Sequence, residues 1–99
     1  MIFDMAGASL QYRRVFQVIH DVLINEWDPI GVGGTPQAQD EYDSYIPVIY
    51  RLLADDSDLD TLARHLEEIE TKAMGLRSGG DNNKRIARCL REVFEALRQ

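Results

Sequence analysis

Four stretches of this chain repeat apolar residues at steps of three and four, and none alternates them at steps of two over a useful length. The first spacing places one apolar face on each of four α-helices; the missing alternation argues against a half-buried sheet. Tyr12, Phe16, Ile19 and Leu23, supported by Val15 and Val22, predict a helix over about 9–26 with Ser9 as its N-cap. Residues 1–8 carry no pattern and are expected to be poorly ordered. Tyr42, Ile46, Ile49 and Leu53, with Tyr45 and Leu52, hold one face across Pro47, which predicts a kinked helix over about 36–54. A proline inside a helix costs about 3 kcal/mol. The alternative is two short helices, the second starting at Pro47.

Leu59, Leu62, Leu66, Ile69 and Ala73 predict a third helix over about 58–74, opened by Asp55-Asp56-Ser57-Asp58 and stopped at Gly75. A fourth, over about 82–98, turns Ile86, Leu90, Val93 and Leu97 inward with Phe94 beside them. Asp81 is its expected cap, after a flexible Ser78-Gly79-Gly80 link. The 99 residues suffice for one core, so the expectation is a single all-α domain over 1–99, a small four-helix bundle.

Between the first two helices the residue choices exceed what a connection needs. Asp28-Pro29-Ile30-Gly31 suits a type I turn, with Asp first, proline preset second and glycine fourth. Thr35-Pro36 reads as a helix start, and Asp40, Glu41 and Asp43 come next, where the positive end of a helix dipole favours acids. Trp27 at the helix exit would pin this loop, with Tyr42 and Tyr45 burying rings while their hydroxyls find partners. Aromatic rings among carboxylates are also what a protein-binding hot spot uses. Trp27, Asp28, Asp40, Glu41, Tyr42, Asp43 and Tyr45 are therefore the motif residues, structural or partner-binding.

The formal charge of −6 is unevenly spread: residues 26–70 hold twelve acids against Arg51 and Arg64, and residues 71–99 hold seven bases against three acids. The acidic middle and basic end are expected to attract within the fold or across a dimer, or the acids to steer a basic partner. The acidic balance argues against nucleic acid, whose affinity rests on cations that displace phosphate counterions. The runs are too short to span a membrane and no secretion signal is visible, so a cytoplasmic protein is expected. Lone Cys89 is expected as a reduced, partly buried thiol.

Several patterns resemble chemistry and lose to simpler readings. Asp56, Asp58, Asp60 and Glu67 echo calcium-loop spacing, but Thr61 stands where the loop needs glycine. Gly31, Gly33 and Gly34 lack the lysine and preceding strand of a phosphate loop. His20 and His65 have no ligand at metal spacing and read as residues at the edge of the core. No metal, cofactor or catalytic residue is assigned. Carboxylates near Asp28 and Asp43 leave open a small enzyme or ligand-binding protein, and exposed helix faces leave open a structural homodimer.

Trp27-Asp28-Pro29-Ile30-Gly31 and, nine residues on, Asp40-Glu41-Tyr42-Asp43 resemble the YugE-like family of small helical bacterial domains of unknown function, over about residues 15–97. More loosely, the Trp-Asp-Pro segment is similar to candidate immunity proteins of bacterial competition systems. The resemblance implies a helical domain and supplies no catalytic residue to carry over; the expected function is binding of another protein rather than catalysis. Its specific form is an immunity-like protein whose acids at Asp40, Glu41, Asp43 and 55–60 occlude a basic toxin site.

Overall fold

The computed structural model describes residues 4–98, and residues 1–3 of the unpatterned opening lie outside them. Four α-helices, α1 (Asp4–Val22), α2 (Ile46–Ala54), α3 (Leu59–Glu68) and α4 (Gly80–Arg98), form an all-α bundle, with no strand among the described residues. α4 packs against the other three, most extensively against α3. The core draws Val15, Ile19 and Leu23 from the first helix, Ile46, Ile49 and Leu53 from α2, Leu62 and Leu66 from α3, and Ile86, Leu90 and Phe94 from α4. None of the described helices is long and apolar enough to cross a membrane.

Five details differ from the sequence expectation, each for a local reason. α1 begins at Asp4, so Ser9 lies inside the helix rather than capping it, and residues 4–8 are helical. The stretch 36–54 is broken, not kinked. A short 3-10 turn, Pro36–Ala38, leads through further turns to a second 3-10 turn at Asp43–Tyr45, and then to α2. Pro47 falls in the first turn of α2, where its missing amide has no intrahelical acceptor to lose, so the interior penalty is avoided. The alternative of two short helices is the closer description. Asp40, Glu41 and Asp43 consequently sit in the turns before α2, not in the early turns of one long helix.

α4 starts at Gly80, and the Gly79 carbonyl accepts from the Asn82 and Asn83 amides at 2.8 and 3.3 Å. Asp81 is therefore in the first turn, where it complements the dipole without being the cap. Leu59, expected inward, is 38% exposed because it is the first residue of α3, just past the cap. Asp58 is that cap: its Oδ1 accepts from the Thr61 amide at 2.8 Å, and this bond holds its carboxyl below the ordinary value.

Two helix ends are widened into π turns, Leu23–Trp27 and Ile69–Ala73, in which the Asp28 amide reaches the Leu23 carbonyl (2.8 Å) and the Met74 amide the Ile69 carbonyl (3.0 Å). A π turn adds a residue to the turn and so rotates the chain beyond it. After α3 the apolar phase would bring Ala73 inward; instead Ala73 is exposed, and Ile69 and Glu70 are both buried. After α1 the same widening accommodates consecutive buried Val22, Leu23 and Ile24 and still buries Trp27. Each end then closes on a left-handed residue, Asp28 (φ 33°) and Gly75 (φ 68°).

The charge asymmetry is partly spent inside the fold. Arg91 of α4 donates to the Leu53 carbonyl (3.3 Å) and to the Ser57 carbonyl, and lies 3.6 Å from both Asp56 and Glu95. It ties the negative end of α2 and its link to α3 onto α4. Arg85 similarly spans to Glu26 at 3.2 Å. The Arg91–Asp56 and Arg85–Glu26 pairs are acidic-middle to basic-end contacts within one chain.

Candidate functional site

The motif residues divide into an inner group, Trp27, Asp28 and Tyr42, that locks the fold, and an outer group of which Asp40 and Glu41 face solvent while Asp43 and Tyr45 are half-buried. Asp28 organises the inner group. The Gly31 amide donates to its carbonyl (3.1 Å), closing the expected Asp28-Pro29-Ile30-Gly31 turn. Its Oδ1 accepts from the Val32 amide and the Tyr42 hydroxyl, both at 2.8 Å, and its Oδ2 accepts from the Gly33 amide at 2.9 Å. Burial alone would raise the Asp28 carboxyl, but the Tyr42 hydroxyl and the Gly33, Val32 and Gly31 amides outweigh it and hold it below 3.8. A carboxylate held anionic by this many donors is a loop anchor, poorly suited to donate or shuttle protons.

Tyr42 is 2% exposed, its ring 5.5 Å from that of Trp27. Its hydroxyl donates to Asp28 and accepts from the Ile30 amide at 3.0 Å, so both sides of the loop hang on one oxygen. Burial first, then the Asp28 carboxylate, push the phenol from 10.0 up to about 12, although the Ile30 amide opposes the shift. The two shifts act on stability at opposite ends of the pH scale. Asp28's folded value is below its unfolded one, so its contribution is full above about pH 4 and lost as pH falls through the folded value. Tyr42's folded value is raised, so its contribution is full below about pH 10 and lost as pH climbs toward about 12. Circular-dichroism melts across pH are expected to show both limbs, with Tyr42→Phe flattening the alkaline one. An alkaline limb unchanged in Tyr42→Phe would contradict this assignment.

On its other side Trp27, 4% exposed, leads into a buried polar chain. The indole N–H donates to Asn83 Oδ1 (2.9 Å), and Asn83 Nδ2 donates to Glu70 Oε1 (2.7 Å), which also accepts from the Gly79 amide (2.7 Å). Asn83 is 1% exposed and Glu70 4%. An indole can only donate and a carboxylate only accept, so the residue between them must present one acceptor and one donor; an amide side chain does this. Gly79 is required by contact: a Cβ there would stand 2.9 Å from Glu70 Oε2 and 3.1 Å from Oε1. The two π turns thus deliver Trp27 and Glu70 to opposite sides of Asn83.

The outer group behaves differently. Asp40 and Glu41 are exposed. Asp43 lies 2.7 Å from His20 Nδ1, fastening the turn before α2 to α1, and Tyr45 is partly buried against the core. His65 is half-buried; burial pushes its imidazole down, against a smaller opposing pull from Glu68. Cys89 is free and partly buried, its thiol pushed up by burial and by Glu26 and Glu92. Sequence patterning does not single out Asn83 or Gly79. Glu70 does carry a signal, since it lies eight residues after Leu62 and four after Leu66 on the apolar face of α3. No family model, curated protein or solved structure matches the chain.

Proposed function

We propose that this chain acts as a protein-binding domain, recognising a basic partner through carboxylates at the two ends of α2, rather than by catalysis. The observation that carries the reading is the contrast among its acids. Asp28, Asp43, Asp58 and Glu70 are engaged by hydrogen bonds within the fold. Asp40, Glu41, Asp55 and Asp60 are exposed, with no side-chain hydrogen bond or ion pair to a described residue. Asp40 and Glu41 precede α2, while Asp55 and Asp60 come after it; nine helical residues set the ends about 14 Å apart. Exposed acids on both sides of α2 fit a partner with spaced basic groups, the arrangement an immunity-like protein would use to cover a basic toxin site.

In the competing enzyme reading, built on carboxylates near Asp28 and Asp43, Asp28's lowered carboxyl counts against that residue as the general acid, which needs a raised one. The test compares a tagged wild-type chain with Asp40→Asn/Glu41→Gln/Asp55→Asn in pull-downs from native-host extract. A basic protein retained by the wild type should be lost from the variant and at high salt, because exposed attractions are screened over about 10 Å at 0.1 M. Identical retention by both forms, or no basic partner together with unrelated neighbouring genes, would remove the proposal.

A further inference from the structure

Between α3 and the start of α4 lies an open cleft of about 370 Å³, within the range of small-molecule sites. Asp60, Arg64 and Glu67 of α3 form one wall, and Ser78, Asn83 and Lys84 the other. Arg64 lies four residues from Asp60 and three from Glu67 on α3, spacings at which opposite charges can pair. Neither Arg64 nor Lys84 is within ion-pair distance of a described carboxylate, although the charge of Arg64 is felt at Asp58 outside the cleft. Two cations and two anions face one cleft without neutralising each other.

The polar walls are also held in place. Ser78 Oγ donates to Glu67 Oε2 at 2.7 Å and accepts from the Gly80 amide at 3.2 Å, which fixes the glutamate relative to the link. Asn83 is immobilised between Trp27 and Glu70, and Gly79 sits tightly on Glu70. Buried Glu70, immediately behind Asn83 and Gly79, makes that side of the cleft negative. Arg64 and Lys84 are exposed side chains with long, adaptable stems.

We propose that this cleft binds a small zwitterion of the free amino-acid class. The ammonium group lies toward Glu67 and the negative field of Glu70, and the carboxylate toward Lys84 and Arg64. A simple anion would meet Asp60 and Glu67 as repulsion, and a simple cation would meet Arg64 and Lys84. A molecule carrying both charges meets neither penalty.

The test is an NMR amide titration of the intact chain with L-glutamine, using methylamine and acetate as half-probes. Saturable shifts are expected at Ser78, Gly79, Gly80, Asn83 and Lys84 in the millimolar range, with each half-probe weaker by about tenfold or more. Glu67→Gln and Lys84→Gln should each weaken L-glutamine about tenfold while leaving the helical circular-dichroism spectrum unchanged. Shifts that rise without saturating, half-probes that bind equally well, or affinity unchanged in both variants would overturn the site. Neither variant alters Asp40, Glu41 or Asp55, so this outcome is separate from that of the partner pull-down.

Discussion

Trp27→Ala is expected to cost about 3–5 kcal/mol, the range for truncating a buried large aromatic. Trp27 is buried at 4% exposure, packs its ring on Tyr42 and donates its indole N–H to Asn83, so the variant loses packing and a hydrogen bond and opens a cavity beside the core. For a domain of this length each kcal/mol lowers the melting temperature by roughly 4 °C or more, so a drop of about 12 °C or more should appear in a thermal scan. Total stabilities of about 5–15 kcal/mol leave little after such a loss. Wild-type melting in Trp27→Ala would mean that the indole is a surface contact, and the motif would then belong to the partner interface.

Asn83→Leu is expected to have a comparable effect, about 3–5 kcal/mol, although leucine differs from asparagine little in shape. The penalty comes from what is left behind: an indole N–H without an acceptor, and a buried Glu70 carboxylate deprived of one of its two short donors. Urea unfolding provides the measurement, and a double-mutant cycle isolates the mechanism. Glu70→Met should cost less in the Asn83→Leu background than in the wild type, with a coupling of about 0.5–3 kcal/mol. Additive losses would show that Asn83 and Glu70 do not act as one unit.

The helices are largely legible in the sequence because each needs a continuous apolar face, and the period survives in Ile19/Leu23, Ile46/Ile49/Leu53, Leu62/Leu66 and Ile86/Leu90. The turn at Asp28 is legible for a different reason: proline and glycine restrict the backbone locally, with little reference to the rest of the fold. The break before Pro47 is ambiguous, because an unbroken apolar stripe is equally satisfied by a kinked helix and by a turn that keeps Tyr42 and Ile46 in phase.

The polar chain is not legible from spacing. Trp27 and Asn83 are 56 residues apart, and Glu70, though in phase with Leu62 and Leu66, has a buried partner in Asn83 that spacing does not reveal. A fixed period of 3.6 residues assigns Ala73 to that face and treats Asn83 as flanking a cap. The electrostatic expectation fares better where it is local to a helix end, as at Asp58. Arg91 shows why the rest is hidden: its two carbonyl acceptors lie 38 and 34 residues away, across the α2–α3 link.

The Trp-Asp-Pro and Asp-Glu-Tyr-Asp segments are joined through Trp27 and Tyr42 into a structural lock, and of their carboxylates Asp40 and Glu41 remain exposed. Hydrogen exchange at the Trp27 indole N–H tests this most directly, since that proton is held by Asn83 inside the fold and is free once the lock opens. The expected result is exchange only through global unfolding, with a protection free energy equal to that from urea denaturation. Rapid exchange under native conditions, with the core amides of α3 and α4 still protected, would show that the segment opens on its own and would contradict the lock.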